Sequence, residues 1–182
     1  MTPSTSFLVR IILLCTLSIH SQEVKSKAVS PEHVKRFFKV SENLFRSSQP
    51  SKKGFIELEK KGIQTVINLR RLKDDKRKAR HTNLILEHIR LKTKEINEND
   101  IFEVLKAIQK AKKPILIHCW HGSDRTGVMT AAYRVIYENW TKEQAIEEFR
   151  QAKFGYHEKW YPNLLTLISN LNVQKIRTDL KL

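Results

Sequence analysis

Residues 114–127 read Pro114-Ile115-Leu116-Ile117-His118-Cys119-Trp120-His121-Gly122-Ser123-Asp124-Arg125-Thr126-Gly127 and run directly into a helical pattern over residues 128–137. The apolar run that Pro114 opens reads as a buried strand, so Cys119 stands at the mouth of a strand-to-helix turn. In such a turn the backbone N–H groups of residues 120–125 converge on a helix N-terminus, where unpaired donors and the helix dipole favour an anion. The same field favours a thiolate at Cys119 and makes it a nucleophile. Arg125 supplies a planar fork able to donate two parallel hydrogen bonds to a phosphoryl group, a geometry that lysine cannot reproduce. The stretch therefore predicts a phosphate-binding loop formed by Trp120, His121, Gly122 and Ser123, with Cys119 at its floor and Arg125 as its clamp.

Working outward, residues 63–69 alternate and are rich in Val and Ile, residues 85–91 form another strand candidate, and helical stretches separate them. Residues 51–61 read as an amphipathic helix stopped by Gly62, Asp100 as the cap of a helix over 101–112, and Thr141 with Gln144 as a capping box opening a helix over 142–154. A last helix is expected over 158–174, after an aromatic junction at Tyr156-His157 and Trp160-Tyr161. The pattern predicts one α/β domain with a central, mostly parallel sheet flanked by helices. Ligands of such sheets collect outside the carboxyl ends of the strands. Arg70 and Arg71 follow one strand and Lys92 and Lys94 another, so these cations are expected on the pocket rim, together with Arg46.

The chain has 182 residues, 40% hydrophobic and 29% charged, which suits one domain with a proper core. Residues 1–22 have the form of an export signal, with Arg10 before a short apolar run and a polar flank after it. An N-terminal segment over 23–42 and a catalytic domain over 43–177 would follow, and the localisation expected is periplasmic or secreted. The formal charge is +15, and Arg10 is the one charged residue of the expected signal. So basic a chain calls for an anionic partner and permits contact with an acidic membrane surface. No zinc-finger or RNP-type pattern points to nucleic acid. Of the two cysteines, Cys15 falls in the expected signal; Cys119 then stands alone, which excludes a disulfide framework and makes a zinc site from His118, Cys119 and His121 a poor fit.

HCxxGxxRTG, present here as HCWHGSDRTG, resembles the signature loop of the cysteine-dependent tyrosine and dual-specificity phosphatases. The stretches NLFRSSQP, GIQTVINLR and DRTGVMTAAYR are similar to the small bacterial and fungal members of the dual-specificity group. The resemblance implies attack by Cys119 on a phosphorylated small molecule or protein, a phosphocysteine intermediate and its hydrolysis by water, with no metal and no cofactor. It implies that Arg125 clamps the phosphoryl group, that Thr126 bonds the sulfur and assists its departure, and that His118 plays a supporting part. The surplus of cations suits inositol polyphosphates or phosphoinositides better than phosphotyrosine, and the DRTG sequence is similar to lipid and inositol phosphatases, myotubularins among them. Family members usually carry an aspartate about thirty residues before the cysteine as general acid, but residues 88–99 contain none. Asp124 is the first candidate for that role and Glu95 the second. The alternative is a module that binds phosphate through the same loop without turning it over.

Overall fold

Side chains of the strands alternate between two covered faces, which explains why these segments read as nearly unbroken apolar runs. In the computed structural model, which describes residues 31–182, β1 (Phe38–Lys39), β2 (Leu44–Ser47), β3 (Thr65–Asn68), β4 (Ile85–His88) and β5 (Ile115–His118) form one sheet in the order β1-β2-β5-β3-β4. The β1 edge runs antiparallel to β2, and the other pairings are parallel. Leu44, Ile67, Ile115 and Ile117 face a core built with α3 (Glu98–Lys110), α4 (Asp124–Tyr137), α5 (Lys142–Arg150), α6 (Asn163–Ser169) and α7 (Val173–Leu180). Val66 and Leu116 face the opposite side, against Phe55 and Leu58 of α1 (Lys52–Lys60), Ala79 of α2 (Lys76–Ala79), Val34 and Phe37. The sheet and its two helical covers match the expected α/β domain.

The register sets the functional edge. Ser47 pairs with His118, His118 with Asn68 and Asn68 with His88, so β2, β5, β3 and β4 end level. The segments after them, beginning at Ser48, Cys119, Leu69 and Ile89, emerge side by side.

Several boundaries differ from the sequence reading for local reasons. The cap of α3 is Asn97, and Asp100 is the third helical residue whose carboxylate returns to Asn97 N, which completes a capping box. The box of Thr141 and Gln144 on α5 stands where expected, but that helix ends at Arg150 and the chain tightens into a 3-10 turn at Ala152–Phe154. The single helix expected over 158–174 is two, because the Asn172 side chain caps a new start by accepting from Lys175 N at 3.0 Å. Its apolar stripe carries across the break through Leu171, Ile176 and Leu180, all core residues. The folded unit also passes both expected limits, since Val34 and Phe37 lie before residue 43 and Leu180 after residue 177. The expected signal over 1–22 and the start of the 23–42 segment lie outside the described residues. Among the described residues no helix is long and apolar enough to cross a membrane.

The helix that opens the loop, α4, is pressed against α5 at a point where only glycine fits. A Cβ on Gly127 would stand 2.1 Å from Cε2 of Phe149, and that ring is stacked at 4.0 Å on Tyr156. Gly127→Ala therefore sets a gain of about 1 kcal/mol in helix propensity against an overpacking cost of about 1–3 kcal/mol. With a contact as short as 2.1 Å the clash should win, lowering stability in urea denaturation by up to about 2 kcal/mol. A more stable variant would contradict this packing.

Candidate active site

The loop between β5 and α4 is shaped by where its carbonyls point. Cys119 O accepts from His118 Nδ1 at 2.9 Å, Trp120 O from Gln49 N at 3.1 Å, His121 O from Arg36 Nη1 at 3.2 Å and Gly122 O from Arg46 Nη2 at 2.8 Å. A planar peptide carries its N–H opposite its C=O, so tying the carbonyls outward turns the amides inward. Among the described residues, the N–H groups of residues 120–125 have no protein acceptor. Gly122 makes the curvature possible, with φ of +73°, and a Cβ there would fall 2.5 Å from Ser47 O. Arg36, which also donates to Ser123 Oγ at 2.6 Å, is itself held at a left-handed φ of +52°. Such a conformation costs a non-glycine residue roughly 1–2 kcal/mol, so the anchor is kept against local strain.

Cys119 is buried at the floor of this turn, and Thr126 is buried within it. Among the described residues, Arg125 Nε and Thr126 Oγ1 are the buried side-chain polar atoms that lack a hydrogen-bond partner. Each such group costs roughly 1–3 kcal/mol, and a native structure that carries two on one turn points to a ligand site. Trp120 and His121 lie exposed on the outer lip, while Gly122 and Ser123 are buried.

Two of the expected rim cations are corrections: Arg46 and Arg70 are buried beneath the loop, at 2% and 4% exposure. Arg46 lies 4.2 Å above the Phe154 ring with its guanidinium on Gly122 O. Burial pulls Arg46 down to about 10, against the opposing negative charges of Glu148 and Cys119. Arg70 is held by Asn68 Oδ1, Asp74 O and Asp75 Oδ1, the last at 2.8 Å. Burial lowers it too, with Asp75 opposing and the neighbouring Arg125 charge adding to the shift. Arg46 supports the loop directly through Gly122 O, and Arg70 supports it through Asp75, His118 and the Cys119 carbonyl. The other cations stay outside: Arg71, Leu72, Arg90, Lys92 and Glu95 line a cavity of about 450 Å³ beyond the ends of β3 and β4. Glu95, the second candidate acid, is hydrogen-bonded to Lys92 there, and Lys94 is exposed nearby. Asp124 is brought to the loop, but its carboxylate is turned onto His157.

Sequence reasoning missed Asp75 and Arg36. Asp75 sits inside the basic run 70–80, and Arg36 precedes the expected domain; no local pattern marks either. Fully buried His118 places Nε2 at 2.8 Å from Asp75 Oδ2, which links Arg70, Asp75, His118 and the Cys119 carbonyl in one chain. Burial alone would raise Asp75, but the His118 hydrogen bond and the charges of His118, Arg70 and Lys78 outweigh it and hold the carboxyl below its ordinary range. A depressed carboxyl contributes stability that is present above its unfolded value, about 3.9, and is lost as pH falls through the folded one. The stability difference between wild type and Asp75→Asn should be about 3–5 kcal/mol near neutrality and shrink below about pH 4. Denaturant titrations across pH would show it, and a difference that widens in acid would rule out the ion-pair account.

With the geometry in place, comparison with known proteins fits it. Residues 32–180 match the tyrosine phosphatase family. The chain is 31% identical over 134 residues to the dual specificity protein phosphatase TpbA of Pseudomonas aeruginosa, over 71% of this chain and 59% of the relative, and so spans about three-fifths of that relative's length. It is 25% identical over 156 residues to the inositol diphosphatase DSP5 of Arabidopsis thaliana, covering 78% of this chain and 72% of the relative. The crystal structure of P. aeruginosa TpbA shares the fold with a TM-score of 0.79 at 23% identity, over 88% of this chain and 99% of that one. The core domain of the PP-IP phosphatase Siw14 from S. cerevisiae does so with a TM-score of 0.66 at 21% identity, over 80% and 92% of the two chains. The loop, the sheet that carries it and the match across residues 32–180 make this chain a member of the tyrosine phosphatase family, within the cysteine-dependent tyrosine and dual-specificity phosphatases.

Proposed function

We propose that this chain is a metal-independent phosphomonoester hydrolase that works through a phosphocysteine at Cys119 on substrates bearing more than one phosphate. The observation that carries the reading is the loop itself, with carbonyls from Cys119 to Gly122 tied outward and Arg125 Nε left unpartnered. A phosphate seated on the inward amides presents phosphorus to the Cys119 thiolate. The S–P bond forms as the ester P–O bond breaks, and Arg125 and the amides stabilise the charge on the equatorial oxygens. Water then displaces the sulfur, and Thr126 Oγ1, which has no partner among the described residues, is free to bond it as it leaves.

The relatives' names span two substrate kinds: TpbA has been solved in complex with phosphotyrosine, and Siw14 and DSP5 are named for inositol phosphates. The charge of this chain favours the second kind. A single phosphate is matched by Arg125 and the amides, whereas Arg71, Arg90 and Lys92 gather at a separate cavity on the same edge of the sheet.

With p-nitrophenyl phosphate and chelator present, wild type should turn over and Cys119→Ser should not. Arg125→Lys should lose on the order of 10²–10³ in kcat. Retained vanadate affinity without turnover by wild type would favour the binding module instead. For substrate class, Arg71→Ala, Arg90→Ala and Lys92→Ala should each raise KM for inositol hexakisphosphate by roughly two- to fivefold, the scale of an exposed ion pair, with a smaller effect on p-nitrophenyl phosphate. Preference for a phosphotyrosine peptide at both low and high salt would overturn the polyphosphate assignment.

A further inference from the structure

Asp124 stands one residue before Arg125, and its carboxylate is engaged by one residue of the segment between α5 and α6. Asp124 Oδ1 accepts from His157 N at 2.9 Å, and His157 Nδ1 lies 3.1 Å from Oδ1 and 3.0 Å from Oδ2. A carboxylate only accepts, so the proton on Nδ1 is fixed toward Asp124 and Nε2 is the nitrogen left to exchange one. His157 Nε2 makes no hydrogen bond to the described residues, and the side chain keeps 34% of its exposure. The ring stacks on Trp160 at 5.1 Å with an interplanar angle of 11°, and its centroid is 5.9 Å from that of His121 in the loop. It is therefore held at the lip of the phosphate cradle with one nitrogen free, as a carboxylate-oriented imidazole is in other hydrolytic sites.

We propose that His157, oriented by Asp124, gives the proton to the leaving oxygen and takes one from the hydrolytic water. This rests on the phosphocysteine reading above. In the first step the P–O electron pair stays on the leaving oxygen, which receives the proton from His157 Nε2. In the second, water attacks phosphorus, its proton passes to Nε2, and the S–P pair returns to Cys119. Ring and thiolate end as they began. Asp124 is a positioning residue in this scheme, not the donor itself.

Other aspartates are committed elsewhere: Asp74 to Lys76 N at the start of α2, Asp75 to Arg70 and His118, Asp100 to the start of α3, Asp179 to Lys175. Around the imidazole, Asp124 faces it from α4 and His121 from the loop, while its neighbour Glu158 is paired with Arg150 of α5. Arg36 packs beside Gly155, two residues before it.

The test is the dependence of kcat/KM on the leaving group, measured from p-nitrophenyl through phenyl to alkyl phosphates. His157→Gln should lose on the order of 10²–10³ with phenyl phosphate and less than about tenfold with p-nitrophenyl phosphate, because a good leaving group needs little protonation. Vanadate affinity and thermal stability should stay near wild type. Asp124→Asn retains an acceptor for both His157 hydrogens but not the charge, and should steepen the leaving-group dependence by about tenfold; it carries the same test should His157→Gln fail to fold. An equal loss across the series, or none, overturns the assignment. Failure of wild type to hydrolyse any ester would instead sink the hydrolase reading, a distinguishable result.

Discussion

The outward tethering of the carbonyls of residues 119–122 is the constraint on which the site depends. Left to itself, a turn of this length would scatter its peptide dipoles. Here four separate places in the chain each fix one plane: Arg36 before the sheet, Arg46 on β2, Gln49 just beyond it, and His118 at the end of β5. The amides then converge without reorganisation when an anion arrives, the condition under which such dipoles lower a barrier most. The strained φ of Arg36, the requirement for glycine at 122 and, among the described residues, two unpartnered polar atoms are the costs of keeping that shape.

Buried arginine distinguishes this scaffold from a merely basic surface. Arg46, Arg70 and Arg134 all lie inside, and each head is matched. Arg134 meets Glu148, Glu138 and the Val40 carbonyl and lies 4.4 Å over the Trp140 ring. Removing charges from water is unfavourable unless hydrogen bonds and partners restore what is lost. Arg134 meets that condition, because Glu148 and Glu138 outweigh its burial, whereas burial still dominates at Arg46 and Arg70. Arg46 and Arg70 also sit where the charge of Cys119 acts on them, so each is coupled to that side chain electrostatically. Composition alone cannot separate these cations from the solvated ones.

What was legible in the sequence was what is local. Strand, turn and helix of the loop are contiguous, so HCWHGSDRTG carried its own geometry, and the box of Thr141 and Gln144 needed only three residues of spacing. The supports were illegible because they are remote: Arg36 reaches across 85 residues to the His121 carbonyl, His118 across 43 to Asp75, and His157 across 33 to Asp124. Arg46 and Arg70 were seen as cations but not as buried ones, since a residue at a strand end can turn over the edge or beneath it. The break between α6 and α7 was hidden by an apolar stripe that continues through it, and the cap of α3 was misplaced because Asp100 fills either end of a capping box equally well by type.

Sheet order also fixes where the segment between α5 and α6 crosses the functional edge. The segment bearing His157 and Trp160 follows Phe154, whose ring packs on Phe38 of β1 and under Arg46 of β2. It therefore starts on the β1 and β2 side of the loop and reaches the β4 side at Asn163, whose Nδ2 donates to Thr93 O at 3.3 Å; Arg71, Arg90 and Lys92 follow β3 and β4. One strip of backbone thus ties both flanks of the loop, with His157 held on Asp124 between its two anchors.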